Sequence, residues 1–312
     1  MREHFVIGSR GSKLALWQSE WVKARLAAER PEVEIRIEVI KTSGDVMLDV
    51  PLAVIGGKGV FTKELEEALL AEEIDLAVHS LKDLPTTLPD DLAISAITER
   101  EDACDALILR AGIEAESNSL RDLPQGATVG TSSLRRQAQL KHLRPDVLIK
   151  DLRGNVDTRL RKLDEGGYDA IILASAGLRR LGFERRIDAR ITHAEMLPAV
   201  GQGALGIETR ARDPRTAALV SLLEHPQTRA ACAAERALLF ALGGGCQVPI
   251  AAHATVEGGT LRLDALVAAL DGGRVIRDNL EDDAQHAARA GETLAARLRE
   301  RGADQLLEGL TV

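Results

Sequence analysis

Strand and helix patterns alternate along the first two hundred residues, and that alternation limits the fold more than any other feature of the chain. A short strand pattern at 5–9 precedes a helix pattern at 14–29, which Ser12 is placed to cap and Pro31 closes. Residues 34–41 alternate Ile35, Ile37 and Val39 as a strand does. Beyond the Gly56-Gly57-Lys58-Gly59 loop, Thr62 is placed to cap a helix with Glu64, Glu66 and Glu67 near its positive end and Leu65, Ala68 and Leu69 on one face. A strand follows at 76–79. After Arg100-Glu101-Asp102 the series resumes with strands at 128–130, 147–152 and 170–174. Ser132 or Ser133 caps one intervening helix, Asn155 another, and a short helix covers 176–181. Such alternation predicts parallel sheets covered on both faces, here in two units.

The last third reads differently. An Ala-rich helical run at 228–242 leads into a glycine loop holding Cys246. Three strands, near 250–256, 261–269 and 274–280, are separated by the turns Glu257-Gly258-Gly259 and Asp271-Gly272-Gly273, so they should pair antiparallel. A final helix runs from about 283 to 301. The expected class is therefore two α/β domains followed by a small α+β domain with a three-stranded antiparallel sheet.

Composition narrows the function. The chain has 312 residues, enough for about two domains on length alone. Its net charge is −8 and its aromatics are 2%, which leaves neither a global basic footprint nor a base-stacking platform for nucleic acid. No apolar run is long enough to span a membrane, and the start, Met1-Arg2-Glu3-His4, does not read as a secretory signal. Three widely spaced cysteines, Cys104, Cys232 and Cys246, argue against a disulfide framework and for a reducing, cytoplasmic setting. No His/Cys group has zinc-ligand spacing, so no metal is expected.

Within this acidic chain the cations recur just past predicted strand ends. Arg10, Lys82, the Arg135-Arg136 pair, Arg153 and the Arg179-Arg180 pair each follow one. Open α/β sheets bind ligands at that edge, where helix N-termini add N–H donors. Arginine forks suit carboxylates, so a small polyanion is the expected ligand. A binding protein without turnover would satisfy these arginines alone. Two further features favour an enzyme. Asp83, beside Lys82, places one carboxylate among the cations, where it would stabilise a cationic intermediate. Cys246 follows Gly243-Gly244-Gly245, which would let a ligand approach the thiol. By contrast, Gly201-Gln202-Gly203-Ala204-Leu205-Gly206 matches G-x-G-x-x-G but follows Leu197-Pro198 and runs into an extended segment, so it is not a dinucleotide site.

Seven segments occurring in order resemble the porphobilinogen deaminase family. They are Arg10-Gly11-Ser12-Lys13-Leu14-Ala15-Leu16-Trp17-Gln18, Gly56-Gly57-Lys58-Gly59-Val60-Phe61, His79-Ser80-Leu81-Lys82-Asp83, Gly130-Thr131-Ser132-Ser133-Leu134-Arg135-Arg136, Leu152-Arg153-Gly154-Asn155-Val156, Leu197-Pro198-Ala199-Val200-Gly201-Gln202-Gly203, and Glu235-Arg236 through Cys246-Gln247-Val248-Pro249. The resemblance implies two domains like the halves of a periplasmic-type solute-binding fold, the first discontinuous. Domain 1 would take 1–102 and 200–220, domain 2 103–199, and domain 3 221–312, with 207–209 returning to domain 1 as a strand. It also implies a transferase; with the cytoplasmic setting read from the cysteines and no apolar amphipathic face left over to argue against it, a monomer is expected. Cys246 would hold one dipyrromethane cofactor through a thioether. Four porphobilinogen molecules would be joined head to tail with loss of ammonia, and hydroxymethylbilane released by hydrolysis. By position, Arg10, Ser12, Lys82, Ser133, Arg135, Arg136, Arg153, Arg159 and Arg180 would bind cofactor and substrate carboxylates. Asp83 would stabilise the azafulvenium cation and shuttle protons, and the loop with Lys58 and Phe61 would close as a lid. No metal, nucleic acid or membrane partner is implied.

Overall fold

A computed structural model describes residues 4–42, 62–113, 119–245 and 248–308 of the chain. Two compact units emerge, Met1–Glu101 with Ala204–Arg229, and Asp102–Gly203 with Ala230–Val312.

The first unit is built on a five-stranded sheet of β1 (His4–Ser9), β2 (Glu34–Val39), β3 (Leu76–Ser80), β4 (Leu92–Ile97) and β10 (Leu205–Arg210), ordered β2-β1-β3-β10-β4. Helix α1 (Lys13–Glu29) covers one face. Its Val22 and Leu26 meet Phe5, Ile7, Leu76, Val78, Leu205 and Ile207 in one apolar cluster. Ser12 caps α1, its Oγ accepting from the Ala15 N–H at 3.3 Å. Helix α2 (Lys63–Leu70) covers the other face, where Leu65, Ala68 and Leu69 pack with Ala77 and Leu92. Thr62 stands at the cap position of α2 but makes no capping bond through its side chain.

The second unit repeats this plan. Strands β5 (Asp105–Leu109), β6 (Thr128–Gly130), β7 (Leu148–Lys150), β8 (Ala170–Ala174) and β9 (Ala189–Arg190) are ordered β7-β6-β8-β5-β9. Alternate residues of β5 and β8 face opposite sides. Leu107, Ala170 and Ile172 join the cluster with Leu140 of α3 (Leu134–Leu143), while Ala106, Ile108, Ile171 and Leu173 join that with Leu160 and Leu163 of α4 (Val156–Asp164). Ser133 and Asn155 are the cap residues of these two helices. The short helix α5 (Ser175–Arg180) follows β8 directly.

Neither sheet is wholly parallel, which corrects the expectation from alternation. In the first, β10 runs antiparallel to β3 and β4, and in the second β5 runs antiparallel to β8 and β9. These are the fourth strands of their sheets. Leu205–Arg210 lies far from its sheet partners in sequence and enters from the segment Gly201–Gly203, so no right-handed crossover sets its direction.

A third sheet completes the second unit, with β11 (Ile250–Glu257), β12 (Thr260–Ala268) and β13 (Val275–Asp283) antiparallel in that order, as the glycine turns predict. One face, with Ala252, Ala254, Leu263, Ala265 and Val267, packs on α7 (Pro226–Ala241) and α8 (Ala287–Glu300) through Leu238, Leu294 and Leu298; α6 (Pro214–Val220) precedes these two helices and α9 (Ala303–Leu307) ends the described chain. The other places Ala251, Leu266 and Ala268 against Ala138 and Leu197. Two of the three glycines before Cys246 have a local reason: they end α7. Gly243 takes a left-handed φ of 69°, and the Gly244 N–H bonds the Leu239 carbonyl at 2.9 Å. Lys58, Phe61, the loop around them and Cys246 lie outside the described residues.

Candidate active site

Each sheet gathers its share of the predicted residues at the carboxyl ends of neighbouring parallel strands. In the first unit β1 and β3 are adjacent and parallel, which brings Arg10 and Ser12 to the same edge as Lys82 and Asp83. Lys82 and Asp83 lie on the 3₁₀ turn Leu81–Asp83 that follows β3. This turn is firmly seated. The Leu81 N–H bonds the Ala204 carbonyl at 3.0 Å, and the Leu84 N–H bonds the Leu81 carbonyl at 3.2 Å. Just before it, Gln18 of α1 donates to Ser80 Oγ at 2.9 Å. Asp83 itself is exposed, and no described residue hydrogen-bonds or ion-pairs with its carboxylate. A carboxylate so placed keeps its full acceptor capacity for a ligand.

In the second unit β6, β7 and β8 are parallel neighbours. Past β6 come Ser133, Arg135 and Arg136, past β7 Arg153 and Arg159, and at the end of α5 Arg180. Arg153, Arg159 and Arg180 are half-buried. Arg159 Nε donates to the Gly154 carbonyl at 2.7 Å, and Arg180 Nη2 to that of Gly203 at 2.6 Å, so both forks are aimed by backbone oxygens. Ser132 ties the two strand ends, donating to the Leu152 carbonyl at 3.1 Å and accepting from its N–H at 3.0 Å.

Arg135 and Arg136 are buried more deeply than sequence suggests, and they share a partner that sequence did not reveal. Asp105 at the start of β5, fully buried, accepts from Arg135 Nη1 and Arg136 Nη2, each at 2.8 Å, and from Gln202 Nε2 at 2.9 Å. Burial alone would raise the Asp105 carboxyl, but the two guanidinium groups hold it well below the usual carboxylate range. Arg135 also donates to the Leu197 carbonyl, and Gln139 brackets Leu197 by donating to its carbonyl at 3.0 Å and accepting from its N–H at 2.8 Å. The segment Leu197–Gly203 is thus a structural clasp, and Leu205 onward is strand, as expected once a nucleotide role is set aside. Two guanidiniums against one carboxylate leave one positive charge over, and both Nε–H groups are buried with no partner among the described residues. That surplus fits a ligand carboxylate.

A second buried pair lies in the first unit. His79 Nε2 and Glu208 Oε2 are 2.9 Å apart, both groups buried. Glu66 of α2 lies close enough to feel them, and burial is the main reason its carboxyl is pushed above the usual range. Cys104 is inert: burial drives its thiol up to about 12. Cys232 is buried too.

Residues 5–218 match the model of the porphobilinogen deaminase dipyromethane cofactor binding domain, and residues 229–300 that of the porphobilinogen deaminase C-terminal domain. The chain is 52% identical over 302 residues to the porphobilinogen deaminase of Pelobacter propionicus, covering 97% of this chain and 96% of that one. It is 51% identical to that of Synechococcus elongatus, covering 97% and 94%. The chain belongs to the porphobilinogen deaminase family. Dipyrromethane, the cofactor expected from sequence, agrees with the description of the family's first domain. Among solved structures, the open second substrate-binding domain of Lactococcus lactis GlnP aligns at a TM-score of 0.43 and 12% identity over 70% of this chain and 86% of that one. The two five-stranded sheets, ordered β2-β1-β3-β10-β4 and β7-β6-β8-β5-β9, follow one plan. Among the described residues no helix is long and apolar enough to cross a membrane, and no three His, Cys, Asp or Glu side chains are grouped to hold a metal.

Proposed function

We propose that this chain is a transferase that joins four porphobilinogen molecules head to tail and releases hydroxymethylbilane, working as a cytoplasmic monomer with no nucleic-acid partner. The observation that carries the proposal is one exposed carboxylate, Asp83, with no partner among the described residues, on the same sheet edge as Lys82, Arg10 and Ser12. The division into three domains belongs to the same proposal, the last carrying Cys246.

The donor set fits a dipyrromethane. Ser12, Ser133 and the cationic side chains present only N–H and O–H donors or hydroxyls, as the acetate and propionate of each pyrrole require. When bound, this group supplies the primer from which the chain of rings is extended. Cys246 would hold it through a thioether.

In each condensation the substrate's C–N bond breaks and ammonia leaves. A C–C bond then forms to the next ring, whose α-carbon gives up a proton. Asp83 faces the cation left on the substrate's methylene and accepts from pyrrole N–H groups, an electrostatic role that needs an acid with no competing partner. Arg153, Arg159 and Arg180 orient carboxylates, the last two through forks already aimed by backbone oxygens. Arg135 and Arg136 offer their surplus charge to one more. Lys58 and Phe61 would exclude water as the lid closes.

In Asp83→Ala, intact mass should still show the attached cofactor while turnover falls about a hundredfold or more. Turnover near the parent's would remove Asp83 from this role.

A further inference from the structure

We infer that His79 and Glu208 are positioning residues for the reaction: their buried hydrogen bond, with Gly206 beside it, sets where Asp83 stands. The inference rests on the role proposed above for Asp83.

Strand register shows how the pair reaches the turn. On β3, Leu76 and Val78 face α1, so Ala77 and His79 face α2. On β10, Leu205 and Ile207 face α1, so Gly206 and Glu208 share the other face with His79. Gly206 pairs directly with His79, and Glu208 with Ala77. His79 and Glu208 are therefore diagonal neighbours, a separation that long side chains bridge. Their 2.9 Å contact pins β3 to β10 two residues before Leu81, where the turn begins.

Gly206 supplies the second half. A Cβ there would stand 3.0 Å from Leu81 Cδ1 and 3.2 Å from Leu84 Cδ1. Leu81 and Leu84 bracket Lys82-Asp83, so the turn rests its two apolar side chains on the bare backbone of the residue paired with His79. The pin and the seat are thus on one face, over adjacent residues.

Removing one partner has a definite consequence. Glu208 is fully buried, and its second oxygen has no partner among the described residues. Without Glu208 the imidazole loses its acceptor, and without His79 the carboxylate is left buried and bare. Either group regains partners only if β3 and β10 shift to admit water, and the floor under Leu81 and Leu84 shifts with them. Such a shift moves Asp83, and Lys82 on the same turn with it, but leaves in place the larger carboxylate-binding set, the arginines of the second unit. A displacement of this kind lowers kcat rather than raising KM.

The test uses the cofactor-loaded enzyme and compares Glu208→Ala, Glu208→Gln, Gly206→Ala and Asp83→Ala, with loading read by intact mass and kcat and KM by porphobilinogen turnover. Glu208→Ala should stay loaded, keep KM within about twofold and lose about tenfold to a hundredfold in kcat. Glu208→Gln, which can still accept from His79, should recover most of that loss. Gly206→Ala should lower kcat by up to about tenfold at unchanged KM. A folded, loaded Glu208→Ala with parental kcat overturns the inference while leaving the Asp83 reading intact. If Glu208→Ala does not fold, Gly206→Ala decides, and parental kcat there overturns it too. Parental turnover in Asp83→Ala removes both.

Discussion

The two five-stranded sheets share one strand order, and in each the antiparallel fourth strand buries a carboxylate. What meets that carboxylate differs. In the second unit Asp105 is locked between two guanidiniums. In the first, Glu208 meets a single imidazole, and its other oxygen has no partner among the described residues. The same strand of the plan thus carries a carboxyl group clamped by two cations in one unit and one held by a single ring in the other. The difference teaches that a shared strand order puts a buried carboxyl group on the same strand, while its register and its partner decide how firmly it is held.

Breaking the stiffer pair should cost most. Asp105→Ala leaves two buried guanidiniums without their shared anion and is expected to destabilise the chain by about 3–5 kcal/mol. A chemical denaturation midpoint close to the parent's would refute the lock. Glu208→Ala removes one hydrogen-bonded partner and should cost less, about 1–3 kcal/mol, in the same measurement.

Acid sharpens the contrast. Because Asp105 has its carboxyl lowered in the fold, its stabilisation is present above the unfolded value near about 4 and lost as pH falls through the lower folded one. The stability gap between parent and Asp105→Asn should stay flat from about pH 8 to about pH 5 and shrink below about pH 4. Glu66 has the opposite sign. Its raised carboxyl favours the fold only while protonated, and that contribution is lost as pH rises through the folded value. Glu66→Gln should therefore be neutral near about pH 4 and slightly stabilising at neutral pH. A stability loss at neutral pH would show that the charged form is held by a partner.

Much of this was legible in the residues. The strand at 170–174 and the caps at Ser12, Ser133 and Asn155 follow from local pattern, as do the two glycine hairpins. Strands β4, β5 and β9 escaped notice. Leu92–Ile97 and Asp105–Leu109 are short runs without clean alternation, and Ala189–Arg190 is only two residues long. The direction of β5 and β10 is not a local property, since it depends on where the chain comes from. The clearest limit is Arg135-Arg136. Arginine is mostly exposed, and its partner Asp105 lies thirty residues away with no motif to link them. His79 stood inside a recognised segment, yet only the register of β10 reveals that Glu208 meets it.

The most direct test of the whole account is the intact mass of the chain purified from cells that make the cofactor. The parent should exceed its polypeptide mass by two substituted pyrrole rings, and Cys246→Ala should not. A parent at its bare polypeptide mass, or a Cys246→Ala chain carrying the same excess, would contradict it.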